Sequence, residues 1–175
     1  MKKIFHVSFV IMLCIGFTFF AVFRLNEYLT LERISIQLDA GYQIVFIDPT
    51  YFIGICGLIT MPAMLLHIIW THVLGKKVSN HMDKLFAMII ITGLIMATIG
   101  MSVEHQRQKS IARANGFIEC PSFTLLSSTH IVEAMVKDIQ YCTDDTITSI
   151  AKYGYFRELP IVNDYVERAY GNKSK

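Results

Sequence analysis

The side chains able to do chemistry are few and scattered. Six histidines and four cysteines are the candidates for proton transfer, metal ligation or redox exchange. His67 and His72 lie in a run with no Asp, Glu, Lys or Arg. An ionisable group in such a run is by default a candidate for an ion path or a metal site. The two are five residues apart, so they do not share a helix face, and no acid sits inside any uncharged run to complete a relay. A neutral imidazole hydrogen-bonded between helices accounts for His67 with less. Trp70, with His67 and Thr71 at helical spacing, reads as an interfacial anchor. His6 and His105 lie at the ends of such runs.

The cysteines form no C-x-x-C pair, which removes the usual redox and zinc signatures. Cys14 and Cys56 read as small apolar packing residues. Cys120 and Cys142 lie in the more polar C-terminal part. A bridge between them would close a loop of 23 residues and, in the chain-entropy model, stabilise a small domain by about 3 kcal/mol. The alternative is two reduced, buried thiols. Asp144 and Asp145 are adjacent and are explained by helix capping. We find no Ser-His-Asp set with supporting context, no phosphate loop and no ligands at metal spacing. The expectation is therefore no enzyme, no cofactor, no metal and no small-molecule substrate.

The elements that would hold these residues are set by composition. Hydrophobic residues make up 53% of the 175 and charged residues only 17%, against about 25% in an ordinary soluble domain; mean hydropathy is +0.45. The deficit is local: residues 4–23, 51–74 and 85–103 carry no charge. A run of about 20 residues, rising about 1.5 Å each as a helix, crosses a hydrocarbon core of about 30 Å. In lipid the backbone must bond to itself, which makes these runs helices. Net charge is +2, and the basic residues lack the aromatic-basic interleaving of nucleic-acid binders, so nucleic acid is not expected as a partner. The start Met1-Lys2-Lys3 suits a signal peptide, but the apolar run is long and no small-x-small site follows it. Met12 and Leu13 precede Cys14 where a lipoprotein has small residues. The first run reads as an uncleaved anchor.

The expected fold is thus a mainly α membrane protein. Residues 1–103 form a three-helix transmembrane domain with an extracytoplasmic loop at 24–50, and residues 104–175 form an α-rich or α+β tail domain. In the loop, Ile34, Ile36 and Leu38, then Tyr42, Ile44 and Phe46, alternate with polar neighbours or Val45 around Asp39-Ala40-Gly41, which suggests a small β-hairpin. A lone hairpin is marginal in water and needs something to pack on. The third helix should continue through 104–114 and end at Asn115-Gly116. Thr143-Asp144-Asp145 should open a short helix stopping at Gly154, and Pro160 a last amphipathic one ending at Gly171. Gly93, Ala97 and Gly100 form a small-residue stripe on the third helix, serving either internal packing or docking of a partner helix. Gly54, Gly57 and Pro62 mark the second.

The segment Ala114-Asn115-Gly116-Phe117-Ile118-Glu119-Cys120-Pro121, just past a third membrane helix and with a second Cys about twenty residues on, resembles a family of small three-span inner-membrane proteins of enterobacteria. Some of its members look like immunity proteins encoded beside antibacterial toxins, type VI secretion effectors among them. The resemblance implies a Cys120–Cys142 disulfide and a cognate toxin as protein partner, neutralised at the inner membrane and most plausibly a pore-former; residues 143–175 have no counterpart in it. The other reading is a structural or assembly subunit of a larger membrane complex, with oligomerisation open. A small channel or transporter ranks third, since three spans without intramembrane charge offer little path.

Orientation rests on Lys and Arg near the helix ends. Lys2, Lys3, Lys76, Lys77 and Lys84 stand against Arg24, Arg33, Arg107, Lys109 and Arg113, so the count is even. Three of the lysines fall within residues 75–84, and that density favours a cytoplasmic N-terminus and a periplasmic C-terminus. A periplasm-active reporter fused after Lys175 should be active and one inserted at Ser79 silent; the reverse pattern would invert the topology.

Overall fold

The structure, a computed structural model, describes residues 2–121, 124–126 and 132–171, with backbone alone at 2–6, 31 and 32. The side chains of Lys2, Lys3 and His6, used above, lie outside that set. Along the chain come α1 (Lys2–Glu27), a π-helical turn (Tyr28–Glu32), α2 (Ile34–Asp39), β1 (Ile44–Ile47) and α3 (Tyr51–Ile68). A second π-helical turn (Ile69–Val73), α4 (Asn80–Ala114), β2 (Ile118–Glu119) and β3 (Glu133–Val136) follow. A 3-10 turn (Ile139–Cys142), α5 (Asp145–Ile150), another 3-10 turn (Phe156–Glu158) and α6 (Leu159–Tyr170) complete it. The chain divides into two compact units. A helical unit comprises Met1–Asn26 and Thr50–Ser102; a mixed unit comprises Glu27–Pro49 and Val103–Lys175. The loop after the first helix thus folds with the C-terminal tail.

In the helical unit three helices are long and apolar enough to cross a membrane. Their large side chains point outward: Phe19 is 73% and Met12 72% exposed, the pattern lipid selects and water penalises. Small residues do the internal packing, as expected where helices have no hydrophobic force between them. Cys14 and Ala21 of α1 are buried. A Cβ on Gly54 of α3 would come within 3.3 Å of the Ala21 carbonyl oxygen. On α4, a Cβ at Gly93 would stand 2.1 Å from Thr60 Cγ2, and one at Gly100 2.0 Å from Phe52 Cε1. Gly93 and Gly100 therefore lie against α3 within the unit, and Ala97, between them, is half-buried. The Thr60 hydroxyl donates to the Cys56 carbonyl at 3.0 Å, which fixes where its methyl points.

The mixed unit is built on a three-stranded antiparallel sheet in the order β1-β3-β2. The expected hairpin does not form. Residues 34–39 are helix α2, and β1 pairs instead with β3, Ile44 opposite Val136 and Ile47 opposite Glu133. The reason is two-sided burial. Ile44 and Phe46 enter one apolar cluster with Val136, Ile147 and Val162; Val45 and Ile47 enter another with Ile34, Ala112 and Phe117. A strand buried on both faces needs a layer on each, and a two-stranded hairpin has none to give. In α2 the buried pair is Ile34 and Gln37, spaced for one face of a helix, although in a hairpin of period two Gln37 would be one of the polar neighbours facing away from the apolar side.

The end signals hold where local chemistry decides them. Gly116 has φ +83°, the left-handed cap that ends α4, while Phe117 N–H donates to the Ala112 carbonyl at 3.1 Å. Asp144 Oδ1 caps α5 by accepting from Thr146 N–H at 2.7 Å and Ile147 N–H at 3.0 Å. Pro160 sits in the first turn of α6, where no N–H is missed.

Because the Thr60 methyl is fixed, Gly93→Ala should lower stability by about 1–3 kcal/mol, the usual cost of overpacking. Thr60→Ser, which removes that methyl, should restore most of the loss in a double-mutant cycle followed by unfolding in detergent. Additive losses would mean that Gly93 does not meet Thr60.

Candidate partner-binding surface

The mixed unit carries a cleft of about 690 Å³. Its walls are the lead-in to β1 (40–43), the 3-10 turn at 138–141 and one face of α6. On α6, Pro160, Asn163, Asp164 and Glu167 reach it at helical spacing. The lining holds three acids, Asp138, Asp164 and Glu167, three tyrosines, Tyr42, Tyr141 and Tyr170, and no Lys or Arg.

Each wall is pinned by polar contacts the sequence supports locally. Asn163, buried, accepts from Gln43 N–H at 2.6 Å and Ile44 N–H at 3.0 Å through Oδ1, and donates from Nδ2 to the Ile44 carbonyl at 3.0 Å. It thus ties α6 to β1. Asp138 caps the 3-10 turn, accepting from Gln140 N–H at 3.0 Å. Tyr141 and Tyr170 stack edge to face with centroids 5.1 Å apart. Tyr170 donates to Asp144 Oδ2 at 2.6 Å and Tyr165 donates to it at 3.4 Å. Burial alone would raise the Asp144 pKa, but the hydrogen bonds from Tyr170, the Ile147 and Thr146 N–H groups and Tyr165 outweigh it and hold the carboxyl below its usual range. The same contact, foremost the bond to Asp144, pushes the Tyr170 phenol up to about 12.

Cys120 and Cys142 are joined by a disulfide with Cα atoms 5.6 Å apart. It fastens the chain after β2 to the 3-10 turn that carries Tyr141. Cys14 and Cys56 are free. On the other sheet face, Lys109 of α4 lies 3.0 Å from both Glu119 and Glu133. His105 Nε2 is 3.1 Å from Glu133, and Arg113 pairs with Glu119. The Lys109 hydrogen bond, more than any other contact, holds the Glu119 carboxyl below its usual range. These pairs fasten the polar end of α4 to β2 and β3.

His67 has an acidic partner that the sequence reading missed. Its Nε2 lies 3.0 Å from Asp83 Oδ1, and its ring meets Phe86 edge to face at 5.0 Å. Asp83 lies just before the third apolar run, in the first turn of α4, so a search confined to the runs passed it over. Lys76 Nζ stands 5.0 Å over the Trp70 ring. Among the described residues no three His, Cys, Asp or Glu side chains gather as a metal ion requires. The cleft was also missed, because its walls come from segments about 120 residues apart. The one signal was the polar spacing of Asn163, Asp164 and Glu167 on α6.

Asp144 supplies a pH test. A carboxyl whose pKa is lowered by folding contributes stability that is present above its unfolded value, about 3.9, and lost as pH falls through the folded one. The unfolding midpoint should therefore drop as pH is lowered from about 5 to 3, and Asp144→Asn should lower the neutral-pH midpoint and flatten that slope. An unchanged slope in Asp144→Asn would assign the pH dependence to other carboxylates, such as Glu119.

Compared with family models, with curated proteins and with solved structures, the chain gives no match, so its function must be argued from this chemistry.

Proposed function

We propose that this chain is an immunity protein of the bacterial inner membrane. It neutralises a membrane-targeting antibacterial toxin, a pore-former, by binding it directly on the periplasmic side. The observation that carries the reading is the cleft of the mixed unit, about 690 Å³ and lined by three tyrosines and three acids without a lysine or arginine. Tyrosine offers wide amphipathic contact at low entropic cost, and is enriched where proteins bind proteins. The acids fit a basic stretch of the toxin, steering it in and rejecting acidic competitors. A disulfide and a buried amide hold the walls, so little ordering is required on binding. The three apolar helices, each long enough to cross a membrane, would anchor the chain in the bilayer that the toxin must enter.

Cells expressing the cognate toxin report the outcome as survival and membrane potential. Glu167→Arg together with Asp164→Arg should abolish protection at unchanged protein level, since Asp164 loses only a surface pair with Arg168. Gly93→Leu should lose protection only in proportion to lost protein, because Gly93 packs internally against Thr60. Full protection by the double arginine variant would remove the cleft from the mechanism.

A further inference from the structure

The cleft of the mixed unit holds a feature more specific than its charge. Tyr141 is only 8% exposed, yet it lines the cleft. Every buried side-chain nitrogen or oxygen among the described residues has a hydrogen-bond partner. The Tyr141 hydroxyl has none among them, so its oxygen belongs to the small part of the residue left open, and that part is cleft wall. Its ring packs edge to face on Tyr170, whose own hydroxyl is committed to Asp144 at 2.6 Å. Asp138 stands one 3-10 turn before Tyr141, whose N–H donates to the Asp138 carbonyl at 3.1 Å. That spacing brings the two side chains to one side of the turn. Burial first, and then the Asp138 charge, raise the Tyr141 pKa, as a carboxylate close to the phenol would. The Asp138 oxygens accept from the Gln140 N–H at 3.0 Å and from the Gln140 side-chain amide at 2.8 Å. A carboxylate offers about four lone-pair sites, so about two remain for a ligand.

These groups select a ligand by its chemistry. An anion would meet three acids and, among the described lining residues, no Lys or Arg. A bare metal ion needs several closely set ligands, and no three His, Cys, Asp or Glu gather among the described residues. An apolar ligand would leave the Tyr141 hydroxyl and the Asp138 carboxylate desolvated and unpaired. A guanidinium suits carboxylate, phenol and ring at once. Its planar fork carries N–H donors for a carboxylate and a phenol oxygen, and its face is attracted to aromatic rings. Asp164 and Glu167, on the α6 wall, add negative potential that draws a cation in. The cleft, at about 690 Å³, has the size of sites that take a whole drug-sized ligand, so the guanidinium comes with a chain attached. We propose that the cleft binds one arginine side chain of a polypeptide, its guanidinium bonded to the Asp138 carboxylate and the Tyr141 hydroxyl against the Tyr141–Tyr170 ring pair. Such a site rests on the reading of the cleft as a partner-binding surface, and it names the group that the partner inserts.

The test is calorimetric titration of the full chain in detergent micelles with three probes: a capped Gly-Arg-Gly tripeptide, the same peptide with citrulline for arginine, and propylguanidinium. Citrulline keeps the shape of the side chain and loses its charge. The arginine peptide should bind at least about tenfold more tightly than the citrulline peptide and at least about threefold more tightly than propylguanidinium. Tyr141→Phe removes only the unpartnered hydroxyl, and should weaken the arginine peptide at least about fivefold at an unchanged unfolding midpoint. Asp138→Asn keeps the cap, since Asn caps as well as Asp, and should weaken it at least about tenfold. Equal binding of the arginine and citrulline peptides, or wild-type affinity in both variants, would overturn the proposal. So would propylguanidinium binding as tightly as the peptide, which would assign the site to a free cation. No toxin enters the titration. Protection lost in Asp164→Arg with Glu167→Arg, but no arginine-dependent binding, would sink the arginine site and leave the cleft reading standing. Arginine-dependent binding with full protection in that variant would do the reverse.

Discussion

An open strand edge is the constraint around which the mixed unit is arranged. β1 lies at one side of a three-stranded sheet, so half of its N–H and C=O groups face away from β3 and are buried. Such groups cost dearly if left unpaired. Two side-chain amides meet them. Gln37 accepts from the Phe46 N–H at 2.8 Å and donates to its carbonyl at 2.9 Å; Asn163 does the same for Ile44, with Gln43 N–H added. Each amide imitates one residue of a fourth strand. Because each belongs to a helix, closing the edge also fixes where α2 and α6 lie. The cleft wall on α6 follows from that docking, and so does the burial of both sheet faces. The edge is hidden from strand addition by other chains as well.

This arrangement explains what was legible in the sequence. Features decided by a few adjacent residues could be read directly: the three apolar runs, the Asp144 cap, the Gly116 stop and the Pro160 start. Each depends on local geometry or on the solvent that the run must occupy. The strand pairing could not be read. Ile34, Ile36 and Leu38 fit period two, while Ile34 and Gln37 fit a helix face, and six residues are too few to separate them. What decided the outcome was a partner strand about ninety residues later and a buried glutamine that looked solvent-facing. The cleft was illegible for the same reason, since Asn163 gains its role only when β1 is beside it. Asp83 escaped for a simpler cause: the boundary drawn around an apolar run is not a boundary to a side chain.

The small residues of the helical unit follow another rule. Gly54, Gly57, Gly93 and Gly100 are used where a Cβ would meet a neighbouring helix, and the lipid-facing positions carry Phe, Ile, Leu and Met. The unit is packed by absence of side chain inside and bulk outside, the inverse of the mixed unit. In the latter Phe46, Ile44, Ile47 and Met135 fill the centre. One chain thus follows two packing rules, and each matches the solvent its composition calls for.

The sheet's register has a consequence for synthesis. Val136, the partner of Ile44, lies 92 residues after it, with α3, α4 and β2 in between. At about 5–20 residues per second, β1 emerges roughly 5 to 18 s before β3 exists. During that interval the Ile-Val-Phe-Ile strand has no partner strand along its inner edge. Gln37, only nine residues upstream of Phe46, can close half of its outer edge at once, whereas Asn163, 119 residues downstream of Ile44, closes the other half last. The two amides are equivalent in the finished protein and unequal in time: one guards the nascent strand, the other locks the completed fold.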